Sequence, residues 1–419
     1  MRLRSCKTRA VSFRRSDPRK IFVYGGALGE GVEWAFWLGA LVWWIDDLGF
    51  SPLQLVAMGV VLDLTVLGAE TPTGVVADLY SRKWSQVIAH TVMGLAFAWA
   101  VISRDFWVLL PAQALAGLAW TFKSGADVAW ITDELQGDTS AAVDDDAIEE
   151  LILRRHRYGI VAALVCVVVM MLVGTRDIRV AILVTAVAKV SQAAWFAVAM
   201  TENHFTPQRN RTSFRETLQQ GLRVVKGTHR LRILIATLFV FDMAAEAMDR
   251  FGFVKFMESL GAGTESITAT GVLFLVLAAA GIVVNAIVSW AMKTSDERQG
   301  AGVVATAMTL MIVAASGAMI LAVTGSPVVI GLGMMFQDAT RESLDPVVSS
   351  WTNRESPSEV RATVHSLVGQ TVSVGTMFGA VTLGTLAEYV DLSPSLIAAS
   401  LLMLAAAAIA SRSLGASHA

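Results

Sequence analysis

Acidic side chains lie inside long apolar stretches of this sequence, where an ionisable group is costly unless it faces a partner or a cavity. Glu30 and Glu33 are three residues apart, so a helix would place both carboxylates on one face. Burial and a like-charged neighbour both favour the protonated form of a carboxylate. We therefore predict that a proton binds at Glu30 or Glu33, and in second place at Asp63 in the next apolar stretch.

A second set of carboxylates follows helical spacing near the middle of the chain. Asp242, Glu246 and Asp249 are spaced i, i+4 and i+7, which predicts one acidic stripe along a helix. Arg250 follows Glu246 by four residues and could neutralise it. We predict that this stripe is a second part of a substrate cavity.

Further charged residues share helix faces at two other places. Lys123 and Asp127, four residues apart, could form a structural ion pair or a binding pair. In the segment 326–350, Asp338 and Arg341 share a helix face and could contact a substrate. The charged residues at the inner end of the same segment are more consistent with an ion-paired gate. The residues of this predicted gate are Glu342, Asp345, Arg354 and Arg361.

Aromatic side chains accompany these charges. Tyr24, Trp34 and Trp37 lie near Glu30 and Glu33, and Trp120 precedes Lys123. Aromatic faces beside carboxylates suit a cationic or amphipathic molecule. We predict that these four rings line the same substrate cavity.

Long apolar segments must position these residues. The chain has 419 residues, of which 54% are hydrophobic and 16% charged, and this composition exceeds what one water-soluble core would bury. A membrane-spanning helix needs about 20 apolar residues, and twelve segments qualify, with no period-two alternation typical of barrel strands. They are 21–44, 53–74, 84–103, 106–130, 158–174, 178–200, 231–256, 266–291, 301–323, 326–350, 363–386 and 393–411.

Positive charge predicts how these segments are oriented. With the N-terminus inside, the inner connections contain 25 Lys and Arg and the outer ones contain 3, and positive residues collect on the cytoplasmic side. We expect an all-α, multi-pass protein of the inner or plasma membrane with both termini in the cytoplasm. The predicted parts are a basic tail (1–20), a six-helix bundle (21–200), a linker with an amphipathic helix (201–230), a second bundle (231–411) and a short tail (412–419).

Several function classes find no support in the sequence. It contains no nucleophile elbow of the Gly-x-Ser-x-Gly type, no phosphate-binding Gly-x-x-x-x-Gly-Lys loop and no His/Cys cluster, so we expect no enzyme activity, cofactor or metal. Cys6 and Cys166 lie where they could not readily meet. The net charge of −2 argues against nucleic acid. Membrane lipid, a small-molecule substrate and protons are the expected partners of a monomer.

The connection between the second and third segments carries a motif. Gly74, Asp78, Arg82 and Lys83 are in register there, and this pattern resembles the inner-loop signature of the major facilitator superfamily. We expect Gly74 to permit close helix approach, Asp78 to face a helix N-terminus, and the basic pair to anchor the loop inside. Leu79 and Ser81 depart from the pattern, where the family usually has a basic residue and a glycine.

This resemblance implies an architecture and a function. The family has two six-helix bundles around a central cavity lined by helices one, four, seven and ten, and the motif latches its outward-open state. Apart from Asp63 in the second segment, the charged sets described above fall on those four helices. The resemblance therefore implies a secondary transporter, and we favour proton-coupled efflux of a small organic molecule. Proton-coupled uptake is the alternative, and a lipid flippase or a non-transporting receptor is less favoured.

Overall fold

The computed structural model describes residues 17–138, 145–205, 223–261, 266–295, 301–356 and 361–415, and no residue in these ranges is in a strand. The helices form long rods, which we number α1 to α12. α1 is one run of α- and π-helical turns (Pro18–Lys20, Ile21–Gly25, Gly26–Val42 and Trp43–Asp47). The others are α2 (Pro52–Leu79), α3 (Arg82–Trp99), α4 (Phe106–Lys123 and Ala126–Asp138), α5 (Asp145–Gly174), α6 (Ile178–Ala199), α7 (His229–Leu260), α8 (Ser266–Ser295), α9 (Ala301–Val323), α10 (Pro327–Glu355), α11 (Arg361–Tyr389) and α12 (Leu392–Gly415).

Polar caps mark where several rods begin. Ser51 and Gln54 form a reciprocal capping box at the start of α2, with each side chain accepting a hydrogen bond from the other's backbone N–H, and Pro52 occupies the first helical position. The side chains of Asp105 and Asp177 accept hydrogen bonds from backbone N–H groups at the starts of α4 and α6. These caps lie at the ends of the predicted apolar segments.

α4 is broken in the middle of its charged stretch. Ser124 leaves the helix with an extended ψ of 122°, and Gly125 has a φ of +73°, a left-handed conformation that glycine adopts without strain. The helix resumes at Ala126. Because of this break, Lys123 and Asp127 are not on one helix face, and the predicted pair between them is wrong.

The polar stretch 136–157, which lies between the predicted apolar segments 106–130 and 158–174, is helical in its described residues. α4 continues to Asp138, and α5 begins at Asp145, far before the apolar residues that predicted it. Charged residues are good helix formers, and Glu150 pairs with Arg154 one turn later at 2.5 Å. Hydropathy therefore located the apolar part of α5 and missed its charged first turns.

The rods pack as two groups along the chain. In the first, α1 lies against α5, α2 against α4, and α3 against both α4 and α6. In the second, α7 lies against α11 and α12, and α9 against α10 and α12. The groups meet where α2 contacts α11 and where α8 contacts α1 and α5. Most of the predicted amphipathic linker helix lies outside the described residues, apart from helical residues 223–227.

The two groups are in close contact at one end, which we call the closed end. Here Asp46 of α1 accepts a hydrogen bond from the Ser266 hydroxyl at the start of α8. A Cβ added to Gly384 of α11 would meet the side chain of Val56 on α2 at 2.5 Å. This end is opposite the one at which α1 begins.

The groups separate toward the other end, which we call the open end. A Cβ added to Gly68 or Gly74 of α2, or to Gly369 of α11, would meet no atom within 4 Å. Leu64 and Leu67 on α2 are exposed. The space beside Gly74 contradicts the close helix approach predicted for it, at least in this conformation.

Seven described helices have the length and hydropathy of a membrane span: α2, α5, α6, α8, α9, α11 and α12. α1, α3, α4, α7 and α10 are not among them, and four of these five, α1, α4, α7 and α10, carry most of the charged residues singled out in the sequence. Charged side chains lower the mean hydropathy of an otherwise apolar helix, and the same side chains are candidates for a functional site. That all twelve rods cross a membrane stays a prediction.

Candidate functional site

Glu33 is at the centre of an ionic cluster inside the first group of helices. Its carboxylate accepts hydrogen bonds from Lys123 Nζ at 2.7 and 2.9 Å and from Lys189 Nζ at 2.7 Å. Lys189 on α6 is fully buried and also donates to the backbone oxygen of Gly29 at 2.9 Å. His90 Nδ1 lies 3.4 Å from the same ammonium group. Glu33 therefore joins α1 to α4 and α6.

Glu30 belongs to a second part of the same cluster. Arg155 of α5 donates from Nε to Glu30 at 2.8 Å and from its terminal nitrogen to Asp127 of α4. The guanidinium also lies over the ring of Phe22, 5.2 Å from the centroid. Glu30 and Glu33 thus each have a basic partner, and they do not act as the mutually repelling pair that the spacing predicted.

The complete first-half cluster is electrically balanced. Its members are Glu30, Glu33, Asp127, Lys123, Arg155 and Lys189. Three acids and three bases at this depth satisfy one another, as buried charges must. All members of the cluster except Lys189 line a small space within the first group, between α1, α3, α4, α5 and α6. The cluster therefore faces into that group. Lys189 and Arg155 are not among the site residues that the sequence predicted.

The predicted aromatic residues divide between two surroundings. Trp37 packs edge-on against Phe36 and Trp44 in the core of the first group, so it is not beside the cluster. Trp34 is 47% exposed and contacts Phe274 of α8 edge-on, with ring centroids 6.1 Å apart. The next residue after Glu33 therefore faces the second group, and the two faces of α1 have separate roles.

The other two rings lie near the charged residues of the first group. Trp120 is exposed, and its ring centroid lies 4.3 Å from Lys123 Nζ, in cation–π contact. Tyr24 is also exposed and contacts Tyr158 of α5 edge-on. Each ring has a protein neighbour and an open side.

In the second group, one acid of the predicted stripe on α7 is paired. Asp249 accepts hydrogen bonds from the side-chain amide of Gln337 at 2.9 Å and from the guanidinium of Arg341, both on α10. The side chain of Glu246 lies outside the described residues, so its predicted neutralisation by Arg250 stays a prediction. The contact between Asp249 and Arg341 sets the register of α7 against α10.

Four carboxylates of the second group have no such partner. They are Asp242 on α7 and Asp338, Glu342 and Asp345 on α10, and the described residues provide none of them with a hydrogen bond or an ion pair. Asp242 is only 8% exposed. Glu342 reaches toward α8, where its carboxylate would lie 2.8 Å from a Cβ added to Gly281. We call these four residues the α7–α10 quartet.

The predicted gate is not formed in this conformation. Glu342 and Asp345 do not pair with Arg354 or Arg361 among the described residues. Arg361 is exposed at the first turn of α11. A gate at another stage of a transport cycle stays a prediction.

The motif after α2 forms a compact cluster near the open end. Arg82 is 6% exposed, and its guanidinium binds Asp133 and the Ala129 carbonyl of α4, with Asp78 at 3.9 Å. Arg82 therefore ties α2 and α3 to α4 inside the protein, and its predicted role in anchoring the loop on the inner side of the membrane stays a prediction. Lys83 instead lies over the ring of Trp84.

Ser81, one of the two departures from the family pattern, has a role that glycine could not fill. Its hydroxyl accepts a hydrogen bond from the N–H of Trp84, as an N-cap of α3, and donates to Glu202 at 2.5 Å. Glu202 also accepts from the N–H groups of Arg82 and Lys83 at 2.6 and 3.2 Å. The turn is thus held by the segment that follows α6.

The two basic residues of the motif predict different mutational effects. Arg82→Gln would leave Asp133 without its partner, and we expect the free energy of unfolding to fall by about 2 kcal/mol or more. Lys83→Gln removes a more exposed charge and should change it by less than about 0.5 kcal/mol. Thermal unfolding of both purified variants in one detergent measures the difference, and equal losses would contradict the role assigned to Arg82.

Comparison with known proteins identifies the fold. No family model matches the sequence, and no curated protein matches it. Among solved structures, the nucleoside transporter NupG aligns at 14% identity over 95% of this chain and 99% of its own, with a TM-score of 0.77. A POT family transporter in complex with 5-aminolevulinic acid aligns at 9% identity over 93% of this chain and 94% of its own, with a TM-score of 0.73.

A third structure adds a conformation to this likeness. It is a bacterial homologue of the human lysosomal transporter Spinster, described as inward-facing and unoccupied, with 12% identity over 95% of this chain and 98% of its own and a TM-score of 0.70. All three neighbours are described as transporters. At these identities the likeness concerns the fold, and we conclude that this chain has the fold that these transporters share.

Proposed function

We propose that the protein is a secondary active transporter that moves a small organic molecule by alternating access, with protons driving its export. The observation that carries this proposal is the contact between the two helix groups at the closed end and their separation at the open end. A cavity open at one end is one of the two states that alternating access requires. The transporter neighbours support the same class of function.

In this proposal the open end faces the cytoplasm. α1 begins at that end, directly after a tail rich in Arg and Lys. Positive residues collect on the cytoplasmic side of membrane proteins. The structure then corresponds to the state in which an exporter takes up its substrate from the cell interior.

The three carboxylates predicted to bind protons differ in what supports them. Protonation of Glu33 would leave two ammonium groups, Lys123 and Lys189, without their carboxylate, so we assign Glu33 a structural role. Glu30 is about one-third exposed and has one basic partner, Arg155. Asp63 is half-buried on α2, a rod that lines the separation between the groups. We propose Glu30 and Asp63 as the coupling residues.

Proteoliposomes with a pH-sensitive dye inside test the coupling. The panel is a nucleoside, 5-aminolevulinic acid and tetraphenylphosphonium, and the wild type is expected to move protons with at least one of them. Glu30→Gln and Asp63→Asn should reduce that proton movement by about tenfold or more, because each removes the group that carries the proton. The direction of the first pH change distinguishes export by exchange from uptake with the proton.

Glu70→Gln is the matched control for this experiment. Glu70 is an exposed carboxylate on α2, two turns from Asp63, and it is not a proposed coupling residue. Its substitution should leave proton movement unchanged. Unchanged coupling in both Glu30→Gln and Asp63→Asn would remove the proposed proton sites, and substrate flux without any pH change would contradict proton coupling itself.

A further inference from the structure

The two halves of the protein pair their charged side chains differently. In the first half, three acids and three bases form a closed set of ion pairs. In the second half, the α7–α10 quartet has four carboxylates with neither a hydrogen bond nor an ion pair among the described residues. Asp242 is only 8% exposed, and an unpaired carboxylate is costly in such a place. Glu342 and Asp345 are exposed on α10, so they remain charged without a basic residue of the protein beside them.

The register of α7 and α10 places the quartet along one shared strip. Asp249 on α7 pairs with Arg341 on α10, and the two rods are antiparallel neighbours. Two turns back along α7, Asp242 therefore lies near Asp345, about 10 Å from the pair at a rise of 1.5 Å per residue. Arg341 and Asp345 are the charges that act on Asp242. The strip is lined by carboxylates along this length.

Two members of the quartet, Glu342 and Asp345, are exposed side chains on α10. Glu342 lies beside Gly281 of α8, and α8 is a rod that contacts α1 and α5 of the first half. Asp242 is more than nine-tenths buried and still has no protein partner for its carboxylate. Both carboxylates are therefore available to a molecule in the cavity.

A single metal ion does not suit this strip. No three Asp, Glu, His or Cys side chains in the described ranges are placed to hold a metal ion together. Carboxylates spread over two helical turns suit a larger cation whose charge is accompanied by apolar surface. Trp34 and Phe274 provide an aromatic surface where the halves meet.

We propose that the α7–α10 quartet binds the positively charged group of an organic cation, which is the cargo. This inference rests on the proposed transport function and names its substrate class. The balanced first half contributes shape and aromatic surface, and the acidic second half contributes the attraction. Arg341 is paired with Asp249, so it lowers the net negative charge of the strip and leaves the four carboxylates of the quartet unpaired.

Equilibrium binding of tetraphenylphosphonium to the purified full-length protein in detergent, by scintillation proximity, tests this site without any gradient. Asp242→Asn and Glu342→Gln should each weaken binding by about tenfold, since each removes one close charge. Arg341→Gln should tighten binding, because it leaves Asp249 as an additional unpaired carboxylate. Glu258→Gln, an exposed carboxylate at the closed end of α7, is the matched control and should change binding less than about twofold.

Melting temperatures measured alongside keep this test decisive. Neutralising buried Asp242 should leave the melting temperature unchanged or raise it, and neutralising exposed Glu342 should change it little, so weaker binding cannot be explained by unfolding. Wild-type affinity in Asp242→Asn and Glu342→Gln, or no binding of the cation by folded wild type, would overturn the proposal. Binding that is intact while transport fails would count against the proposed function and leave the cation site standing.

Discussion

Glu33→Gln is expected to destabilise the protein more than any other single carboxylate-to-amide change in the first half. Glu33 neutralises Lys123 and the fully buried Lys189 together. Removing one partner of a buried ion pair costs about 3–5 kcal/mol, because the remaining charge is left uncompensated in a poorly solvated place. The variant should give little folded protein or a much lower melting temperature in detergent.

Glu30→Gln is the matched control, three residues away on the same helix. Glu30 is more exposed, and its partner Arg155 keeps Asp127. We expect a loss of about 1 kcal/mol or less. The double variant Glu33→Gln with Lys189→Met should recover part of the stability that Glu33→Gln loses, because the most buried ammonium is then also removed. Equal melting temperatures for the two single variants would show that Glu33 is not the centre of the cluster.

A covalent link across the closed end is expected to stop transport. Ser266 of α8 donates a hydrogen bond to Asp46 of α1 there, so cysteines at these two positions are close enough for a short bifunctional thiosulfonate, which joins each thiol through a disulfide and releases sulfinate. With Cys6 and Cys166 replaced by Ser, the link would hold the first and second halves in the state described here. Transport of the panel compound that the wild type carries should fall to about a tenth or less, since alternating access requires this end to open.

The control link joins two positions within the first half at the same end. The Arg104 side chain donates to the Asp47 carbonyl at 3.2 Å, and cysteines at Asp47 and Arg104 treated with the same reagent should leave transport intact. Reducing reagents should restore the Asp46–Ser266 variant if they cleave its link. Full transport through the linked Asp46–Ser266 variant would contradict alternating access about this end.

Hydropathy was sufficient to locate the helices, because an apolar run of about 20 residues is typical of a membrane-spanning helix. It could not locate helix ends made of charged residues, and so it left Arg155 in a predicted loop although α5 carries it to Glu30. A break that depends on one left-handed residue, Gly125, also has no periodic signal. Lys123 and Asp127 were therefore paired with each other, where the structure assigns them to Glu33 and Arg155.

The choice of charged helices was easier to predict than the pairing of charges. α1, α4, α7 and α10 were identified because ionisable residues stand out against apolar sequence. The partner of Glu33, however, is 156 residues away on α6, and single-sequence spacing describes only neighbours on one helix. For the same reason, the difference between the balanced first half and the unpaired quartet is visible only once the helices are packed.

The break in α4 separates two sets of contacts that a continuous helix would couple. The segment before it holds Lys123 against Glu33, and the segment after it holds Asp127 against Arg155 and Asp133 against Arg82. Both segments are nevertheless fixed to α1, the first directly through Glu33 and the second through Arg155, which also binds Glu30. In mechanical terms α4 is a two-piece brace: its two segments hold α1 from separate points, and a turn of one segment relative to the other requires an ion pair to break.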